Sequence, residues 1–109
     1  MEIEIQYFKR TVLATISGRI DTANVTEFKD ALRRLVEDGH YNIVTELSGV
    51  EFMVSRGIRS MAGTLKDCKH KVGDLKIANP SQRMVYELGL AGLENVFAKY
   101  DAISAVGSF

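Results

Sequence analysis

Ile43-Val44-Thr45-Glu46-Leu47-Ser48-Gly49-Val50-Glu51-Phe52-Met53-Val54-Ser55-Arg56-Gly57-Ile58 leads from a strand, through a turn, into a helix. The β-branched and apolar residues between Tyr41 and Leu47 predict the strand, and Ser48-Gly49 marks the exit from it. Beyond Ser55, the residues Ile58, Met61, Ala62 and Leu65 fall on one helical face, while Arg59, Lys66, Asp67 and Lys69 fall largely on the other. Ser55 stands where the N-cap of that helix is expected, since its hydroxyl can accept from a first-turn N–H.

The flanks continue the alternation. Upstream, Glu2 to Tyr7 alternates polar and apolar with the period of a strand wet on one face. Lys9-Arg10 makes a turn, and Thr11 to Ser17 is a second, better buried strand, so the chain opens with a hairpin. Val25, Phe28, Leu32, Leu35 and Val36 then mark a helix, with either Asn24 and Glu27 as a capping box or Asp21 or Thr22 capping an earlier start, and Gly39 as the stop. Downstream, Asp74 to Ala78 predicts a fourth strand. Asn79-Pro80-Ser81-Gln82 is a helix start, with Asn79 as the cap and Met84, Val85 and Leu88 as the apolar face. A short strand around Asn95 to Lys99 and a terminal helix from Asp101 close the chain. The fold class is α/β, a small parallel or mixed sheet with helices packed on it by right-handed crossovers.

The 109 residues fit one domain, with 46% hydrophobic residues and 14 Lys+Arg balancing 14 Asp+Glu. Zero net charge argues against a protein that grips nucleic acid through its overall field. The single cysteine, Cys68, excludes an intrachain disulfide and a multi-cysteine metal site, and points to a reducing compartment. The N-terminus lacks the basic and then apolar pattern of a secretory signal, and no apolar run reaches the roughly 20 residues of a spanning helix. A cytoplasmic protein is expected, with neither nucleic acid nor a membrane as partner.

Little in the chain serves catalysis. Cys68 and His70 lie two apart on one helix, roughly 200° around it, so their side chains diverge. A packed thiol and a surface histidine are the readings that follow. No two glycines are separated by a single residue, so no dinucleotide fingerprint is present. No catalytic residue, metal site or cofactor is expected. Arg56, Arg59, Lys66, Lys69, Lys71 and Lys76 form a basic stripe opposed by Asp67 and Asp74, read as a solvated face because no aromatic interleaves it. A phosphate on Ser55 would meet free N–H groups and the positive end of the helix dipole, although a serine there also serves simply as a cap.

Three stretches resemble the STAS domain of the bacterial anti-sigma factor antagonist family: Ser17-Gly18-Arg19-Ile20-Asp21, Ile43 through Gly57, and Leu88-Gly89-Leu90-Ala91-Gly92-Leu93 through Phe97. The resemblance implies a mixed β-sheet of four to five strands flanked by about four helices. It further implies binding to an anti-sigma factor that is also a serine kinase, with a serine phosphatase reversing the modification, and it allows a weak homodimer. In the family's Asp-Ser-Ser/Thr-Gly motif the first serine accepts the phosphate, and that serine corresponds to Ser55. Family acidic positions correspond to Asp21 and Glu46. The implied docking face runs over Phe52, Met53, Val54, Arg56, Gly57 and Arg59, with Phe52 or Met53 as apolar anchors if exposed and as core residues otherwise. Val54 replaces the motif's aspartate, Arg56 its second hydroxyl residue, and Arg59 a usually small residue. STAS-like domains also serve as non-phosphorylated scaffolds or adaptor subunits, the alternative implied function.

Overall fold

The computed structural model describes residues 1–100 and 103–109. Five strands form one sheet in the order β1-β2-β3-β4-β5. They are β1 (Glu2–Tyr7), β2 (Val12–Ile20), β3 (Asn42–Met53), β4 (Asp74–Ala78) and β5 (Lys99–Tyr100), interleaved with α1 (Val25–Glu37), α2 (Ser55–His70) and α3 (Gln82–Leu90). The β1–β2 hairpin is antiparallel and every later pairing is parallel, which makes the sheet mixed. A 3-10 helix, Ile103–Ser108, follows β5. The expected terminal helix begins at Asp101, outside the described residues.

The sheet's alternation divides the core in two. Val12, Ala14, Ile16, Ile43, Leu47, Leu75 and Ile77 meet the buried residues of α1, α2 and α3, among them Phe28, Leu32, Ile58, Met61, Met84 and Leu88. Leu13, Val44 and Ala78 point to the other face and pack with Ala105, Tyr100, Val106 and Phe109. Lys76 is buried on that second face, its ammonium 3.9 Å from the centroid of the Phe109 ring. It therefore leaves the basic stripe, and Lys69 in the stripe pairs with Asp74 at 3.5 Å.

Several boundaries differ from expectation. Strand β3 runs past Ser48-Gly49 to Met53, because β2 continues beside it with register shifts: Ser17 faces Gly49, Gly18 faces Val50 and Ile20 faces Met53. A Cβ on Gly49 would lie 2.9 Å from the Ser17 Cβ, so the glycine permits a close strand approach rather than an exit. Asn24 makes no side-chain cap bond. Its amide instead accepts from Asp21 N–H and donates to the Arg19 carbonyl, both at 2.9 Å, bracing the turn into α1. At α3 the cap is Ser81 and not Asn79, whose φ is 47°. Ser81 Oγ accepts from Met84 N–H at 3.1 Å and donates to the Val50 carbonyl at 2.7 Å, tying α3 to β3. Val85 is half-exposed, leaving Met84 and Leu88 as that helix's buried face. The last strand lies at Lys99–Tyr100 rather than around Asn95 to Lys99; Phe97 plugs the core from the turn before it.

Candidate functional site

Strands β2 and β3 end side by side, and the start of α2 is built on that junction. Val54 N–H donates to the Ile20 carbonyl at 2.8 Å, extending the pairing by one residue. Val54 then takes the N-cap position in an extended conformation, with Gly57 N–H donating to its carbonyl at 2.8 Å. Ser55, expected as the cap, is the first helical residue instead. Its side chain is exposed and its hydroxyl has no partner among the described residues. As the first residue of α2, Ser55 places this hydroxyl at the positive end of the helix dipole.

What surrounds Ser55 follows from packing. Met53 is wholly buried, so it belongs to the core and is no surface anchor. Gly57 is buried against it: a Cβ there would lie 2.7 Å from Met53 Cγ, which explains why the helix can start so close to the sheet. Val54 is half-buried and packs on the main core. Phe52 is half-buried with two guanidinium groups over its ring, those of Arg19 at 4.9 Å and Arg83 at 5.1 Å. Each such contact contributes about 0.5–1 kcal/mol at an exposed site. Arg83 also pairs with Glu87 at 2.8 Å. Nothing in the linear sequence links Arg19 in β2 and Arg83 in α3 to Phe52, since only the fold brings them to one ring.

The two acidic residues have different surroundings. Asp21 follows Ile20 directly, at the same strand junction as Val54, and its carboxylate accepts from Ala23 N–H at 2.9 Å. Glu46 lies far upstream on β3, and its carboxylate accepts from Ser48 N–H at 2.8 Å and from Asn79 Nδ2 at 3.4 Å. It braces β3 against the turn leading into α3. Arg56 and Arg59 are exposed and, with Lys29 of α1, line a groove of about 590 Å³ between α1 and α2. Its wall includes Val25 and Gly63. The groove beside the start of α2 thus carries Lys29, Arg33, Arg56 and Arg59 against Glu37 and Asp67.

Cys68 is buried within α2, and His70, two residues on, is exposed. Burial first, and then the charges of Asp67 and Asp74, push the thiol up to about 11. A free thiol ionises near pH 8.5, so as pH rises the unfolded chain loses this proton before the folded chain does. The contribution to stability is fully present below about pH 8.5 and is lost as pH rises toward about 11. Iodoacetamide at about pH 8 should accordingly label the denatured protein and spare the native one. Rapid labelling of the native protein would contradict this environment.

The comparisons with known proteins agree with this architecture. The STAS domain family model matches residues 2–106. The anti-sigma-B factor antagonist of Bacillus subtilis (strain 168) is 26% identical over 96 residues, spanning 88% of this chain and 87% of its own length. A crystal structure of an anti-sigma factor antagonist from Mycobacterium paratuberculosis superposes with a TM-score of 0.85 at 21% identity, covering 98% of this chain and 91% of that one. The Bacillus cell fate determinant SpoIIAA in the phosphorylated form gives 0.77 at 19% identity, with 98% of each chain covered. At these identities the structural likenesses speak for the fold, and the match over nearly the whole sequence speaks for descent. The chain belongs to the STAS domain family.

Proposed function

We propose that this protein is an anti-sigma factor antagonist that docks through the Ser55 end of α2 onto an anti-sigma factor with serine kinase activity, and that phosphorylation of Ser55 releases it. The observation that carries the reading is the exposed Ser55 hydroxyl, unpartnered among the described residues, at the first position of α2. A kinase needs an accessible hydroxyl and a local backbone that tolerates the product, and a helix N-terminus supplies the second. The relative from Bacillus subtilis is named an anti-sigma-B factor antagonist, which supports the partner class.

The switch is electrostatic. Arg19, Arg56 and Arg59 give the docking face positive charge, which favours an acidic partner surface. A phosphoserine adds about −1.5 to −2 charges at its centre, weakening that positive field and drawing nearby guanidinium groups to itself. A loss of about 3 kcal/mol at such an interface is roughly a hundredfold in affinity. A serine phosphatase resets the hydroxyl. Asp21 shapes the turn beside the acceptor, and Glu46 acts at a distance through its brace on β3.

Ser55→Ala is expected to bind the anti-sigma factor within a few fold of the unmodified protein, and Ser55→Asp about a hundredfold more weakly, by titration calorimetry. Equal affinities for the two variants would defeat the switch. The second reading, a non-phosphorylated scaffold, draws on Val54: the residue before the acceptor packs on the core and offers the kinase no polar group. Mass spectrometry of protein isolated from its own cells separates the two, since a phosphoryl increment on Ser55 belongs only to the switch.

A further inference from the structure

We propose that the end of the molecule opposite Ser55 is a contact surface for anionic membranes, seating a lipid phosphate in a cleft of about 280 Å³ between three loops. Ser55 follows the exit of β3, whereas this cleft lies where the parallel strands enter the sheet. Its walls come from the β1–β2 turn, the α1–β3 connection and the α2–β4 connection. These bring together Lys9, Arg10, His40 and Lys71, and no carboxylate lines the cleft. Lys9, Arg10 and Lys71 make no ion pair among the described residues.

The rim is apolar. Phe8 is 43% exposed and Val72 96% exposed, and both line the same cleft. Tyr7, 61% exposed, meets His40 in a tilted contact with ring centroids 5.2 Å apart. Val72 is also held at φ 61°, a left-handed conformation that a β-branched residue adopts only under strain. Lys71, Val72 and Gly73 donate N–H bonds to Cys68, Lys69 and Cys68 carbonyls respectively, which close the end of α2 and impose that turn. Glycine would close it with less strain, yet the position carries an apolar side chain directed to solvent.

Cations beside exposed aromatic and aliphatic side chains match the boundary of an anionic bilayer, where phosphates lie next to acyl chains. The cleft has room for one phosphate group. The sequence scatters these residues over three loops and gives no reason to expect a membrane; the fold gathers them. Contact here leaves the Ser55 face turned away from the lipid, so this surface is independent of the proposed switch.

The test is co-sedimentation of the whole protein with vesicles of phosphatidylcholine and phosphatidylglycerol, against vesicles of phosphatidylcholine alone. Binding is expected only with the anionic lipid, falling as salt rises. Each basic residue near an anionic surface is worth about fivefold in partitioning, so the combined Lys9→Gln, Arg10→Gln, Lys71→Gln variant should bind about a hundredfold more weakly. Val72→Gly should raise the melting temperature by relieving the left-handed strain, yet weaken vesicle binding several fold. That opposition of sign separates a lipid contact from a general loss of structure. The assignment is overturned by absence of sedimentation, by equal binding to neutral vesicles, or by full binding of the triple variant. Binding of inorganic phosphate or of a polyglutamate peptide with no retention on vesicles overturns it equally, and makes the cleft a site for a soluble anion or an acidic protein.

Discussion

Gly73→Ala is expected to destabilise the protein by about 3 kcal/mol or more, a fall in melting temperature of roughly 12 °C or greater for a domain of this size. A Cβ at this position would lie 1.9 Å from the Tyr41 carbonyl oxygen and 2.7 Å from its carbon. Both are backbone atoms, so no side-chain rotation relieves the clash. The same carbonyl accepts from Asp74 N–H at 2.9 Å, and Gly73 N–H donates to the Cys68 carbonyl at 2.7 Å. Moving the residue therefore strips the end of α2 and the first bond of β4 together. Gly63→Ala is the matched control, because nothing lies within 4 Å of its added carbon and it sits inside α2. That variant should gain about 0.5–1 kcal/mol from helix propensity. Thermal or urea unfolding of the pair decides the matter: losses of similar size at both positions would refute the close-approach argument.

Met53→Ala is expected to cost about 2–5 kcal/mol, the range for truncating a long apolar side chain in a packed core. Met53 is wholly buried beneath the start of α2 and meets the Gly57 backbone closely. Met53→Leu, nearly conserving volume, should cost less than about 1.5 kcal/mol and leave partner affinity unchanged where both variants are folded. Phe52→Ala should behave in the opposite way. It removes a half-buried ring and two cation–π contacts, with a stability cost of about 1–2 kcal/mol, and it frees Arg19 and Arg83 from their common platform. Partner affinity should fall for Phe52→Ala by about tenfold and hold for Met53→Leu. If Met53→Leu weakened docking while Phe52→Ala did not, the division between core and surface drawn at these two neighbours would be wrong.

The two neighbours show how much of the site is readable along the chain. The period of two across β3 assigns Phe52 and Met53 to opposite sides, but which side faces water depends on where α2 folds back. The deciding element is Gly57, whose missing Cβ lets the helix start lie on Met53. The position of Ser55 at the start of α2 was legible, since a strand, a short connection and an amphipathic pattern locate a helix start to within a residue. That the actual cap is Val54 follows from a backbone bond to Ile20, contributed by a strand more than thirty residues earlier.

Local chemistry determined the alternation of strands and helices, the buried faces of α1 and α2, the turn at Lys9-Arg10, the stop at Gly39 and the resemblance that led to the family. These depend on residues within one or two turns of each other, so their periodicity survives in the linear order. Tertiary structure alone decided the length of β3, the cap of α3, the burial of Lys76 and the stacking of Arg19 and Arg83 on Phe52. It also gathered Phe8, Lys9, His40, Lys71 and Val72 around one cleft. Each of those features is a meeting between segments far apart in sequence. The free energy of such a meeting belongs to the pair and has no signature in either segment by itself.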